Sequence, residues 1–157
     1  MKILLLAIGK TDEDYLLTGI KKYVGRLGHY VSFEMKEIPD PRNRKTLSEE
    51  QQKKAESFLI LSQLQPSDQV VLLDENGKSF SSTAFAENLE RQMSSGIKRL
   101  VFIIGGPYGF AQDVYDRANA QMSLSPMTFS HQMVRLIFVE QLYRAFTILK
   151  GEPYHHQ

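Results

Sequence analysis

The sequence predicts an α/β fold, a mainly parallel sheet with helices on both faces. Two observations carry this. The runs Lys2 to Ile8, Gln69 to Leu73 and Leu100 to Ile104 are almost continuously apolar, the pattern of strands buried on both faces. Segments of helical spacing alternate with the strands in the order β-α-β-α-β-α-β-α-β-α, as crossover-connected parallel strands require. Ligands of such sheets lie beyond the carboxyl ends of the strands.

Each element has its own signal. Lys2 to Ile8 reads as a central strand. Asp12 then precedes Tyr15, Leu16, Ile20, Tyr23, Val24 and Leu27, whose spacings of three and four mark an amphipathic helix that stops at Gly28. Val31, Phe33 and Met35 alternate with Ser32, Glu34 and Lys36, an edge strand broken by Pro39-Asp40-Pro41. After the basic stretch Arg42-Asn43-Arg44-Lys45, Ser48-Glu49-Glu50-Gln51 offers a capping box for a helix to about Leu64. The strand Gln69 to Leu73 should end at Asp74-Glu75-Asn76-Gly77, because Asn-Gly is a strong turn signal. Ser81 or Ser82 caps a helix through about Met93, and Leu100 to Ile104 follows as the third buried strand.

Composition narrows the classes. A chain of 157 residues forms one domain, 1–157, burying roughly two-thirds of its unfolded surface. It shows no repeat, linker or low-complexity tract. No apolar stretch reaches the roughly 20 residues of a membrane span, and the start lacks a cleavage site. The absence of cysteine removes thiolate chemistry and fits a reducing compartment, so a cytoplasmic protein is expected. With 19 basic against 18 acidic residues, no global charge draws the chain to nucleic acid. No His and carboxylate spacing suggests a metal site.

The last third holds the chemistry. Gly105-Gly106-Pro107-Tyr108-Gly109 follows a buried strand, where glycines permit either a ligand loop or a tight structural turn. Its spacing fits neither the dinucleotide fingerprint nor the P-loop. Leu124 to Phe129 is uncharged: a buried strand with a turn, or free backbone groups within an apolar sleeve. Ser130 then caps a helix from about His131 to Lys150. Arg135 falls on its apolar face with Phe138, Leu142 and Phe146, so it must meet a carboxylate, a carbonyl cluster, a partner subunit or a ligand. Glu140 and Arg144, four apart, read as an ordinary surface pair. His131, at the helix start, is a general base, a substrate donor or part of the cap. Tyr154-His155-His156 in the tail could stack on a base and contact phosphate. So much apolar surface on the last helix also suggests a dimer seam.

Phe102 to Gly109, Leu124 to Phe129, Ser130 to Arg135, Glu140 to Ala145 and the ending Pro153-Tyr154-His155 jointly resemble the RlmH family, with Ala7 to Lys10 and Gly77-Lys78 extending the match over nearly the whole chain. That family comprises bacterial large-subunit rRNA pseudouridine N3-methyltransferases of the SPOUT class. The resemblance implies a Rossmann-like sheet whose C-terminal part, about 100–157, is threaded into a trefoil knot, a homodimer, and S-adenosylmethionine held at Leu73, Gly105, Leu124, Ser125, Pro126, Met127, Thr128 and Phe129. It implies a pseudouridine of 23S rRNA in the assembled ribosome as substrate, with no metal and no membrane. His155 and Tyr154 would position or deprotonate the base, and Arg135 and His131 would contact the nucleotide or shape the knot beneath it. The family commonly has a basic residue after its Tyr-His pair, where this chain has His156. Another SPOUT enzyme acting on tRNA ribose, or a non-catalytic cofactor-binding module on the ribosome, are the competing readings.

Overall fold

The computed structural model describes residues 1–156; Gln157, the end of both the expected domain and its tail, lies outside the described residues. Ten main elements alternate as expected: β1 (Lys2–Ile8), α1 (Asp14–Leu27), β2 (Ser32–Ile38), α2 (Glu49–Leu61), β3 (Gln69–Ser79), α3 (Ser82–Ser94), β4 (Arg99–Ile104), α4 (Gln112–Arg117), β5 (Ala120–Ser123) and α5 (Met133–Leu149). All strand pairs are parallel, in the order β2-β1-β4-β3-β5. β2 is an edge, β1 is interior and β4 takes the middle.

Alternation along the strands divides the core. Ile3, Leu5 and Ala7 of β1 join buried residues of α1, α3 and α5 in one cluster. Leu4, Leu6 and Ile8 point the other way, to Ile60 of α2 and Val114 of α4. Strands that bury both faces need apolar residues at every position, which is why the buried strands read as continuous runs. The capping box forms: Ser48 Oγ accepts from the Gln51 amide at 3.2 Å and Gln51 Oε1 accepts from the Ser48 amide at 2.9 Å. Ser81, rather than Ser82, caps α3.

Two local expectations are corrected. Asn76-Gly77 does not end β3, because Met122 of β5 pairs with both Leu73 and Lys78, leaving 74–77 as a bulge within a continuing strand. Tertiary packing overrides the turn signal here. A Cβ on Gly77 would stand 2.5 Å from the Met122 amide nitrogen, so the glycine serves close backbone approach. Likewise, the strand expected within Leu124 to Phe129 lies just before it, as β5, and 124–129 is irregular loop. Both corrections place backbone of unusual shape at the carboxyl end of the sheet.

Candidate functional site

β1 crosses to β2 on one side, whereas β4 leads by way of α4 to β5 on the other. The crevice between the carboxyl ends of β1 and β4 is therefore the topological switch point, where open α/β sheets bind ligands. A cavity of about 560 Å³ opens beyond β3, β4 and β5. Leu73 and Gly105 line it from β3 and the end of β4, and Leu124, Ser125, Met127, Thr128 and Phe129 line it from the loop; Pro126 does not. Within that loop Ser123 Oγ donates to the Ser125 carbonyl and Ser125 Oγ accepts from the Met127 amide, both at 2.9 Å. Among the described residues Phe129 makes no hydrogen bond, leaving its main-chain groups available to a ligand.

The β3 bulge adds acidic groups to this cavity. Thr128 Oγ1 donates to Glu75 Oε2 at 3.0 Å, tying bulge to loop, and the Tyr115 hydroxyl donates to Asp74. Burial and then this bond push the Tyr115 phenol up to about 12. Asp74, Glu75 and Tyr115 all line the cavity. Two carboxylates beside free main-chain groups suit a ligand with cationic and planar polar parts.

A second cavity of about 610 Å³ adjoins the first and shares Pro107, Tyr108 and His131 with it. His131 is positioned by Arg135, whose Nε donates to the His131 carbonyl at 3.0 Å. The same guanidinium donates to the carbonyls of Ile8 at 2.7 Å and Gly9 at 2.8 Å and to Thr11 Oγ1 at 3.0 Å. Arg135 is fully buried and lines neither cavity. Of the partners expected for it, the carbonyl cluster is the one these bonds show, and through it Arg135 positions the end of β1 against the start of α5. Burial first, and then the Arg135 charge, hold the His131 imidazole below its ordinary value, so it is neutral and able to accept a proton at neutral pH. Ser130 Oγ accepts from the Met133 amide at 3.0 Å, but α5 begins only at Met133 with Gln132 as its N-cap, so Ser130 stands in the turn before the helix and is not the cap expected for it.

A family model described as a predicted SPOUT methyltransferase matches residues 1–155. The chain belongs to the SPOUT methyltransferase family. It is similar over the full length of both chains to proteins named ribosomal RNA large subunit methyltransferase H, at 61% identity in Flavobacterium psychrophilum, 60% in Flavobacterium johnsoniae and 59% in Parabacteroides distasonis. Residues 1–155 of the SPOUT match take in both cavities and the tail through His155.

The tail of this SPOUT chain lies elsewhere. The Tyr154 hydroxyl donates to Glu140 Oε1 at 2.9 Å and meets the Tyr23 hydroxyl at 3.2 Å, while Arg144 donates to the same Glu140 oxygen at 2.6 Å and stacks 4.7 Å from the Tyr154 ring. Arg144 also donates to His155 Nδ1 at 3.3 Å. Glu140 and Arg144 are thus the seat of the tail, not an ordinary surface pair. Burial, with Tyr23 and Glu140 adding to it, drives the Tyr154 phenol well above its ordinary range. The seat begins at the middle of α5 (Met133–Leu149), where Glu140 and Arg144 stand 9 and 13 residues beyond His131, about 14 and 20 Å along a helix axis. Within one chain, His155 and Tyr154 do not line the cavity that holds Leu73 and Gly105.

Several site groups gave no readable signal. Asp74 and Glu75 looked like turn residues, and Tyr115 sits on a six-residue helix too short for periodicity. Glu56 is 2% exposed beneath the glycine loop, accepting from Gln52 Nε2 at 3.0 Å; only its place on the inward face of α2 could have marked it. Among the described residues no group of three or more His, Cys, Asp or Glu could hold a metal ion, and no helix is long and apolar enough to cross a membrane.

Proposed function

We propose that this chain is a cytoplasmic, homodimeric methyltransferase that uses S-adenosylmethionine to methylate N3 of a pseudouridine in 23S rRNA of the assembled ribosome. One observation carries the reading: the cavity at the strand ends, built from main-chain loops with two carboxylates, occurs in a SPOUT chain about as long as, and 61% identical to, a protein named for large-subunit rRNA methylation. The residues fit that cofactor. Loop 124–129 offers main-chain groups and apolar side chains to a flat base, and Asp74 and Glu75 complement positive charge. When bound, it supplies an activated methyl on a sulfonium.

The protein's own task is alignment and proton removal. Methylation at N3 would require an acceptor for the N3 proton. His131, on the wall common to both cavities and neutral at neutral pH, is the acceptor we assign. Arg135 fixes its backbone. His155 and Tyr154, which do not line the cavity of their own chain, act from a second copy, which is the reason a dimer belongs to this proposal. The trefoil knot of residues about 100–157 is part of the same reading.

Calorimetry with S-adenosylmethionine, followed by methyl transfer to purified ribosomes, free rRNA and tRNA, tests this function. Binding with transfer to ribosomes alone is expected. Transfer to tRNA would favour another SPOUT activity, and binding without transfer a non-catalytic module. Mass spectrometry of rRNA from cells with and without the protein would locate the methyl group.

A further inference from the structure

We propose that the second cavity, at the carboxyl end of β1, holds the RNA backbone beside the acceptor nucleotide, with Lys10 and Lys45 gripping phosphate and Tyr108 stacking on the base. This rests on the function proposed above and names the substrate's seat. The cavity is lined by Lys10, Arg44 and Lys45 against Asp12 and Asp40. Arg44 is already committed to Asp40 at 3.1 Å. Among the described residues neither the Lys10 nor the Lys45 ammonium has a hydrogen-bonding or ionic partner, and both residues are exposed. Two uncommitted ammonium groups on one cleft form a local anion site that a net charge near zero conceals.

The position of the cleft makes the ligand RNA rather than a free anion. Its shared wall with the cofactor cavity contains His131 and Tyr108, and Tyr108 is a large aromatic left 45% exposed. An exposed ring between a cationic cleft and a methyl-donor cavity is the arrangement that single-stranded RNA recognition uses: phosphate contacts fix register and a splayed base stacks on an aromatic. The base then crosses the switch point towards His131, while its backbone stays on the β1 side. Lys45, the exposed end of the basic stretch Arg42 to Lys45, thereby acquires a role.

The test is methyl transfer by the full-length protein to ribosomes purified from cells lacking it, across a salt series. Lys10→Ala/Lys45→Ala should raise the ribosome KM about tenfold at ~0.1 M salt and lower the slope of log KM against log salt by about 1.5, two phosphate contacts' worth. Its affinity for S-adenosylmethionine should stay within about twofold of wild type, since neither lysine lines that cavity. Lys10→Arg/Lys45→Arg should restore KM, and Tyr108→Phe should outperform Tyr108→Ala. An unchanged KM and slope in the alanine double variant would overturn the assignment while leaving the methyltransferase reading intact. A raised KM accompanied by a changed sedimenting mass would overturn it in favour of a subunit contact. Wild-type protein that binds cofactor but neither binds nor methylates ribosomes would overturn the rRNA reading, and the cleft assignment with it.

Discussion

Glu56 lies directly beneath Gly106: a Cβ added to that glycine would stand 2.4 Å from Glu56 Oε1. The Gly106 amide faces the carboxylate and favours its charge, while burial, the larger effect, raises its pKa. A buried carboxylate thus supports the loop that lines the cavity at the ends of β3, β4 and β5. Glu56→Ala should cost about 1–3 kcal/mol by stranding the Gln52 and Gly106 amides, and should weaken S-adenosylmethionine binding. Glu56→Gln keeps an acceptor and should retain both. Because the folded pKa is raised, Glu56 contributes stability below its unfolded value that disappears as pH rises through the folded one. Wild type should therefore lose stability relative to Glu56→Gln from about pH 4 upward. Denaturant melts at several pH values, beside calorimetry, would show whether it does.

His131 predicts the opposite trend in catalysis. Its pKa is lowered by burial and by Arg135, so the accepting, neutral form persists at neutral pH and is lost only in acid. The acid limb of kcat against pH should fall below the ordinary histidine value of about 6.5, and His131→Gln should flatten that limb while lowering kcat. The same lowered pKa contributes stability above the unfolded value, lost as pH falls through the folded one. An unaltered acid limb in His131→Gln would remove the residue from proton transfer.

Gly105 acts through packing. A Cβ there meets the Phe110 ring at 3.1 Å, so Gly105→Val should displace Phe110 and, through the shared lining, reduce cofactor affinity. Phe110→Leu, which makes room, should partly rescue the valine variant. Normal affinity in a folded Gly105→Val protein would contradict this.

Asp68 and Arg99 form a two-pronged pair, Nε to Oδ1 at 2.7 Å and Nη2 to Oδ2 at 2.5 Å, far from both cavities. Burial works to raise the Asp68 pKa, and the Arg99 and Gln65 hydrogen bonds outweigh it, leaving a lowered value. Asp68→Ala should cost about 3 kcal/mol by stranding the guanidinium, with kcat of the folded enzyme unchanged. The pair's stabilisation, present above the ordinary carboxylate pKa, should fade as pH drops through the lowered one.

The tail yields a complementation test. His155→Ala should spare cofactor affinity and reduce methylation. Mixing it with a cofactor-deficient Gly106→Val protein should recover activity if subunits exchange, because one site of a mixed dimer then combines an intact cavity with an intact partner tail. Recovery no better than the sum of the separate variants would mean that each tail serves its own chain.

What the sequence disclosed follows from how local each signal was. The three apolar runs became β1, β4 and the first part of β3 because burial on both faces leaves no other composition. Ser48 and Gln51 formed their capping box because its bonds span four residues. Asn76-Gly77 misled because the nearby backbone of Met122, not the dipeptide, determines the local path. Arg135 was recognisably out of place on an apolar face, but its partners Ile8 and Gly9 are more than 120 positions away, beyond any periodicity. The second cavity joins four distant segments, and its lysines looked like ordinary solvated charge.

The Arg135 bonds to Ile8 and Gly9 carry a consequence for biosynthesis. They join the end of β1 to α5, the last helix among the described residues, and contacts of such separation form late. A nascent chain can assemble β1, α1 and β2 early, but it cannot seat His131 until α5 has been made and packed against the end of β1. The wall that His131 gives to both cavities is therefore complete only once these two distant parts of the chain have met.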